Sequence, residues 1–283
     1  LKSMDKGRNW TSISGNLPKE GTVHSIQQDF INKDLLFAGT EFSFFFSNDG
    51  GATWVEFKNG MPPIPVRDIA LQKRESDIAI ATFGRGFYIL DDYSPLRLVN
   101  KNILEKDAHI FPIKDALMYL STDIKYGQGS TVYTAKNPDF GAIFTYYIKD
   151  DAPKTLKDIR IERESKLFEK GERIPMPTEA ELRAEREEVP PFLTFIITDE
   201  SGNEICRINK APTKGINRMS WDLRYHNRLT VEGGEKYDPF AEDNSGSPVM
   251  PGKYKVSLQL TCHDSVKVLC APVEFNAVML NNA

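Results

Sequence analysis

Residues 47–54 read SNDGGATW, and a related string, SMDKGRNW, occupies residues 3–10. Both fit the pattern S-x-D-x-G-x-x-W, and the two strings begin 44 residues apart. Aspartate accepts backbone N–H groups in tight turns, and glycine adopts the positive φ that such turns need. Each string therefore predicts a tight turn between two β-strands, and its tryptophan can pack across the hairpin.

The repeat extends beyond these two strings. Residues 16–18 (NLP) recur as residues 60–62 (GMP) at the same offset of 44, and residues 23–46 align with residues 66–89 at an offset of 43. Short alternating apolar segments with a period of this length are typical of four-stranded β-propeller blades. One complete unit predicts four strands, listed from the innermost to the outermost: 23–28, 35–40, 42–47 and 53–57.

The two strings resemble the Asp-box, or BNR repeat, of sialidase-like and sortilin-like propellers. The second copy matches that motif fully, and the first departs from it at Asn9, where threonine is usual. The resemblance implies a structural role for the matching residues, which are Ser3, Asp5, Gly7, Trp10, Ser47, Asp49, Gly51, Thr53 and Trp54.

The end of the repeat region carries a second resemblance. Residues 82–92 (TFGRGFYILDD), followed by SPLR at 94–97, are similar to the last propeller segment of bacterial secreted sortilin-like proteins, which are often labelled glycosyl hydrolases. The chain is therefore expected to be the C-terminal part of such a protein, located outside the cell, in the periplasm or at the cell surface. Residues 1–98 account for about two blades, whereas a closed propeller needs at least about four. The remaining blades, in the same protein or in a separate chain, are the expected partners because exposed sheet edges invite pairing.

The second half of the chain has a different β pattern. Residues 99–136 are expected to be a connector, with a short strand at 108–112 and a loop or edge strand at 123–136. Residues 137–283 predict an immunoglobulin-like or fibronectin-like β-sandwich of about seven short strands. Residues 157–162 are predicted as one strand, and a capping box of Thr178 and Glu181 predicts a helical insertion near 178–188.

Three strings in this half resemble the sandwich of the flagellar hook-capping protein and of C-terminal modules associated with secretion. They are D-x-x-G from Asp199, G-x-N-x-x-x-W-D from Gly215 and P-G-x-Y from Pro251. The resemblance implies a fold and is almost silent about function. The whole chain is thus expected to be all-β, with propeller blades followed by a sandwich.

Composition and residue spacing exclude several function classes. The chain has 36 basic and 40 acidic residues, so its net charge of −4 argues against a nucleic-acid or anionic-membrane surface. No apolar run approaches the ~18 residues of a membrane helix, so membrane insertion is not expected. The four histidines are dispersed and no C-x-x-C occurs, so neither a metal nor a cofactor is expected. All three tryptophans are interpreted as core aromatics.

The candidate ligand face lies at the end of the blades opposite the Asp-box turns, which is where the resemblance implies that Asp-box enzymes bind ligands. The turns after the second strands and the starts of the innermost strands meet at this end. An arginine between two glycines, such as Arg85, can grip a carboxylate there, or it can instead bridge to an aspartate at 91 or 92. His24 and Asp68 are expected nearby. The candidate ligand-binding residues are Glu41, Phe42, Arg67 and Arg85.

Three functions remain open. Glycoside hydrolysis needs two carboxylates that flank the bond, and only Glu41 and Asp68 are weak candidates; the alternative makes Glu41 a solvated turn residue and pairs Asp68 with Arg67 or Arg85. The favoured hypothesis is a non-catalytic ligand-binding or scaffolding part that takes a peptide or a glycan. The alternatives are a glycoside hydrolase of the sialidase or xyloglucanase type, with its active site mainly in other blades, and a structural subunit of a cell-surface assembly.

Overall fold

The computed structural model describes residues 1–119, 137–227, 238–241, 246–262 and 265–280. It divides into two compact units, Leu1–Ile103 and Leu104–Ala283. The loop or edge strand predicted at 123–136 lies outside the described residues. Strands dominate both units and the helices are few, so the chain is an all-β protein.

The first unit contains two antiparallel sheets in which each strand pairs with the next along the chain. One sheet consists of β1 (Val23–Gln28), β2 (Leu36–Thr40), β3 (Phe44–Ser47) and β4 (Val55–Glu56). The other consists of β5 (Val66–Gln72), β6 (Asp77–Thr82) and β7 (Phe87–Leu90). β5 begins 43 residues after β1, and β7 begins 43 residues after β3, so the sequence period is also the period of the structure.

The second, third and fourth strands of the first sheet are shorter than the sequence pattern predicts. The third strand begins at Phe44 rather than at residue 42 because Thr40 closes a turn before it. The Thr40 hydroxyl accepts the Ser43 N–H at 3.1 Å and donates to the Ser43 carbonyl at 2.9 Å. Phe42 consequently belongs to the turn, where its side chain is 53% exposed.

The two sheets of the first unit pack on a shared apolar core. Its buried members include Phe37 and Phe44 from the first sheet and Ile69 and Ile80 from the second. The approach is close at Gly39, where an added Cβ would lie 2.6 Å from Cγ1 of Val66. Only glycine therefore permits this spacing between the sheets.

A buried ion pair fastens residues 93–97 to the first sheet. Asp29 follows β1 and receives Nε and Nη2 of Arg97, each at 2.9 Å, together with the Tyr93 hydroxyl at 2.6 Å. Burial alone would raise the pKa of Asp29, but hydrogen bonds from Arg97, the Asn32 N–H and Tyr93 prevail and lower it to about 2. The carboxylate therefore stays charged in the folded protein.

The described residues of the second unit form two sheets. Their strands are β8 (Ala108–Ile110), β9 (Ala116–Met118), β10 (Ala142–Ile148), β11 (Phe192–Asp199), β12 (Glu204–Lys210), β13 (Gly215–Trp221), β14 (Gly252–Cys262) and β15 (Ser265–Met279). The three-stranded sheet has the order β13-β10-β8, and the five-stranded sheet has the order β12-β11-β14-β15-β9. Buried residues of both sheets, including Phe144, Phe195 and Phe275, form one core. Residues 108–118, expected in a connector, supply β8 and β9 to these sheets.

Three helices complete the described chain: α1 (Lys101–Leu104), α2 (Leu156–Glu169) and α3 (Glu179–Glu187). The prediction of a strand at 157–162 is wrong, because these residues belong to α2. Thr155 forms a capping box with Asp158, and the (i, i+4) pair of Arg160 and Glu164 supports the helix. α3 starts at the predicted capping box of Thr178 and Glu181.

Only two of the three tryptophans are core residues. Trp54 and Trp221 are buried, whereas Trp10 is 59% exposed, so its interpretation as a core aromatic is wrong. Trp54 packs against Ile13 and Leu17. Among the described residues no equivalent segment covers Trp10.

Candidate functional site

Two residues at equivalent repeat positions project from β-bulges. The register between β1 and β2 shifts between Val23 and Ser25, and the register between β5 and β6 shifts in the same way between Val66 and Asp68. His24 and Arg67 are therefore the extra residues of two bulges that lie 43 residues apart. A bulge re-aims the side chain that it carries, so the two bulges bring one basic side chain from β1 and one from β5 to the same place.

Glu41 joins these two side chains into one cluster. Its Oε2 lies 2.6 Å from Nε2 of His24, and its Oε1 lies 3.8 Å from Nη2 of Arg67. Nη1 of Arg67 lies 3.2 Å from Nδ1 and 3.0 Å from Nε2 of His24. A neutral imidazole with its proton on Nε2 can donate to Glu41 and keep the Nδ1 lone pair for Arg67. That arrangement avoids two cations in contact.

Exposed aromatic side chains flank the cluster. The Arg67 guanidinium lies 5.3 Å from the ring centroid of Phe83, a cation–π distance. Phe83 is 68% exposed, and Phe42 occupies the corresponding turn of the first sheet. We call His24, Glu41, Arg67, Phe42 and Phe83 the bulge site. It combines an accessible cation with two apolar surfaces.

Three of the predicted site residues have other surroundings than expected. Asp68 accepts hydrogen bonds from the Ser25 hydroxyl at 3.4 Å and from the Ile69 N–H at 2.8 Å, and it pairs with neither Arg67 nor Arg85. Glu41 is an ion-pair partner rather than a solvated turn residue. Arg85 is exposed between Gly84 (φ 89°) and Gly86 (φ 70°), and it makes no ion pair within the described ranges.

Sequence reasoning placed His24 at the edge of this site, whereas the structure places it at the centre. The missed signal is the pair of bulges, because the strand alternation alone does not show which residue is the extra one. Once the repeat is aligned, His24 and Arg67 occupy the same position. A polar residue at this position in both copies distinguishes it from the apolar positions of the strand. Sequence reasoning also missed Asp29 and its pairing with Arg97.

The described ranges contain no group of three or more His, Cys, Asp or Glu side chains arranged to hold a metal ion. No helix in the described part of the chain has both the length and the apolarity that crossing a bilayer requires. Cys206, Cys262 and Cys270 form no disulfide within the described residues.

Comparisons with known proteins show no family for this chain. No family model matches the chain, and no curated protein matches it. Among solved structures it is similar to the extracellular domain of a protein described as a one-component system from B. thetaiotaomicron, at 10% identity and a TM-score of 0.21. That alignment covers 92% of this chain and 25% of the other, so this chain spans about a quarter of that structure.

Proposed function

We propose that the chain is a non-catalytic ligand-binding or scaffolding part of a secreted or cell-surface sortilin-like propeller protein. In this proposal residues 1–98 belong to Asp-box propeller blades, and the second unit is an immunoglobulin-like sandwich that serves as a docking module. The bulge site receives a peptide or a glycan that carries a carboxylate. The observation that carries the proposal is the convergence of His24 and Arg67, from equivalent bulges, beside exposed Phe42 and Phe83.

The chemistry of the site favours recognition of a carboxylate. Arg67 is 44% exposed at its side chain and has donors that Glu41, 3.8 Å away at the nearest oxygen, does not saturate. A guanidinium binds carboxylates with directional, charge-assisted hydrogen bonds. Arg85, exposed on the neighbouring turn, can supply a second cation. Phe42 and Phe83 would cover the apolar part of the ligand.

Hydrolysis has weaker support at this site. Glycosidases need one carboxylic acid and one carboxylate placed on either side of the scissile bond. Glu41 is engaged by His24 and Arg67, and Asp68 caps its own following N–H. A binding role uses these contacts as they stand, whereas an acid–base role would require both carboxylates to leave them.

Binding of the full chain to a defined panel tests the proposal. The panel contains peptides with a free C-terminal carboxylate, the same peptides amidated, and oligosaccharides with and without uronic acids. We expect binders only among the carboxylate forms. Arg67→Ala and the double variant Glu41→Gln/Arg85→Ala should weaken binding about tenfold or more, as the loss of a charge-assisted contact implies.

Arg74→Ala is the matched control, because Arg74 lies in the β5–β6 turn, where it pairs with Glu75. Binding that is unchanged in Arg67→Ala, or equally weakened in Arg74→Ala, would remove the bulge site from the proposal. Release of sugar from aryl glycosides that disappears in Glu41→Gln or Asp68→Asn would replace the binding role with the hydrolase alternative.

A further inference from the structure

The two Asp-box hairpins have the same internal hydrogen bonds. In the second hairpin the Ser47 hydroxyl accepts the Gly51 N–H at 2.9 Å, and Asp49 accepts the Thr53 N–H at 2.8 Å. In the first, the equivalent bonds run from the Gly7 N–H to Ser3 at 2.6 Å and from the Asn9 N–H to Asp5 at 2.8 Å. The two hairpins are therefore copies of one element, and their surroundings can be compared directly.

The second hairpin is covered by residues 13–17, in which the Leu17 N–H donates to the Ser14 carbonyl at 2.8 Å and closes a turn. The side-chain amide of Asn16 accepts the Trp54 N–H at 2.6 Å and donates to the Trp54 carbonyl at 3.0 Å. The indole N–H of Trp54 donates to the Ile13 carbonyl at 2.8 Å. Ile13 also lies so close to Gly51 that an added Cβ would be 2.7 Å from the Ile13 Cβ. Trp54 is left only 4% exposed.

The first hairpin presents the same surface uncovered. Trp10 is 59% exposed, and its indole N–H turns back to the Gly7 carbonyl at 3.1 Å. Its main-chain N–H and carbonyl, the groups that Asn16 engages in the second copy, have no partner in the described part of the chain. Beside Gly7 an added Cβ would meet nothing closer than the Trp10 ring at 3.7 Å.

The repeat also indicates which residue must contact this surface. Asn16 corresponds to Gly60 in the next unit, and that unit has no Asp-box hairpin after it for an asparagine to engage. Asparagine is thus present before a hairpin that carries a tryptophan and absent where no such hairpin follows. Because it makes two hydrogen bonds to one residue, it sets the register of the covering segment.

We infer that the face of the first hairpin formed by Gly7 and Trp10 is a docking site for a polypeptide segment with the chemistry and the turn conformation of residues 13–17, supplied by another repeat unit. Its asparagine engages the Trp10 N–H and carbonyl, and an apolar residue three positions earlier packs on Gly7. The Trp10 indole then rotates from the Gly7 carbonyl to the carbonyl of that apolar residue. This interface is separate from the bulge site and does not depend on the ligand proposed there.

A synthetic peptide with the sequence of residues 11–20, acetylated and amidated, tests this on the full chain. The Trp10 indole N–H resonance, assigned by its loss in Trp10→Phe, reports on binding, and the Trp54 and Trp221 resonances are internal controls. We expect the peptide to shift the Trp10 resonance saturably. A peptide with the asparagine replaced by alanine should bind about tenfold more weakly, because it lacks two hydrogen bonds.

Leu1→Ala, on an exposed residue outside the face, should keep the response. A Trp10 resonance that does not move at millimolar peptide would overturn the inference. So would equal binding of the asparagine and alanine peptides. A resonance that moves with protein concentration in the absence of peptide would assign the face to a second copy of the chain and also overturn it.

Discussion

Asp29 is a buried carboxylate whose two oxygens are fully occupied. Its side chain is 0% exposed and accepts hydrogen bonds from Arg97, Tyr93 and the N–H groups of Ile31 and Asn32. Replacing one partner of a buried pair leaves the other charge buried and uncompensated. We expect Asp29→Asn to lower the free energy of unfolding of the first unit by about 3 kcal/mol, measured by chemical denaturation. Asp34→Asn, on an exposed aspartate close in sequence, is the control and should change it by less than about 0.5 kcal/mol.

The pH dependence of stability gives a second test of the role of Asp29. The pKa of Asp29 is about 2 in the folded protein, below its ordinary value of 3.8. A lowered pKa stabilises the folded state above the unfolded-state pKa, and the contribution is lost as the pH falls towards the folded-state value. We therefore expect the difference in stability between the wild type and Asp29→Asn to shrink by about 2 kcal/mol between about pH 4 and pH 2. A difference that is constant over that range would contradict this role.

Sequence reasoning located the bulge site better than it located Asp29. Glu41 and Arg67 could be named because a repeat of strands brings turns and strand starts to one end. Asp29 and Arg97 are 68 residues apart, and neither belongs to the repeat pattern. Their pairing depends on the fold of the first unit, so no local pattern in the sequence predicts it.

The hairpins at residues 3–10 and 47–54, which share the pattern S-x-D-x-G-x-x-W, differ in what they support. Asp49 accepts hydrogen bonds within a hairpin whose Trp54 is buried. Asp5 does the same in a hairpin closed by the bridge between Lys2 and Thr11, and the Trp10 of that hairpin is exposed. We expect Asp49→Ala to cost about 1–2 kcal/mol of stability and Asp5→Ala only a few tenths. Chemical denaturation followed by tryptophan fluorescence measures both. Equal costs would show that the cover over Trp54 adds no stability.

Helices α2 and α3 form an element that contributes no buried residue. Their stability comes from the caps at Thr155 and Thr178 and from ion pairs, including that of Arg160 with Glu185 at 2.6 Å. We expect Thr155→Ala or Thr178→Ala to speed amide hydrogen exchange in these helices roughly fivefold, the equivalent of a cap worth about 1 kcal/mol. The midpoint of thermal unfolding should not change, because the sheets do not depend on these helices.

Ser165→Ala is the matched control for these caps, since Ser165 lies within α2 and alanine favours helix there. It should slow exchange slightly rather than speed it. A fall in the thermal midpoint of either threonine variant would mean that the helices are coupled to the sheets.

α2 also shows why a strand was predicted at residues 157–162. Ile159 and Ile161 are two positions apart, the spacing of one face of a strand. Both are nearly half exposed, at 49% and 45%, so this spacing reflects no buried face. The capping residues Thr155 and Asp158, together with ion pairs between successive turns, favour a helix over a strand here.

At the scale of the molecule, the sequence predicts strand pairing where the paired strands are neighbours in the chain, and it does not where they are far apart. In the first unit each strand pairs with its neighbour in the chain, so a period of 43 residues is visible without a structure. In the second unit β9 pairs in parallel with β15, and the Asp115–Asn276 hydrogen bond beside them joins residues 161 positions apart. Residues 108–118 therefore looked like a connector, although they complete two sheets.

The two units should differ in their ability to fold alone. The second has one core shared by two sheets, including buried Phe144 and Phe195. The first ends its second sheet at β7, an edge strand on which Phe87 and Ile89 are 77% and 61% exposed, and it also exposes Trp10. Exposed apolar edges favour association with other strands.

We therefore expect a fragment of residues 104–283 to be monomeric and to unfold cooperatively. A fragment of residues 1–103 should self-associate or melt at a lower temperature than the first unit does within the full chain. Circular dichroism and size-exclusion chromatography with light scattering measure both properties. A stable, monomeric fragment of residues 1–103 would show instead that two repeat sheets suffice without partners.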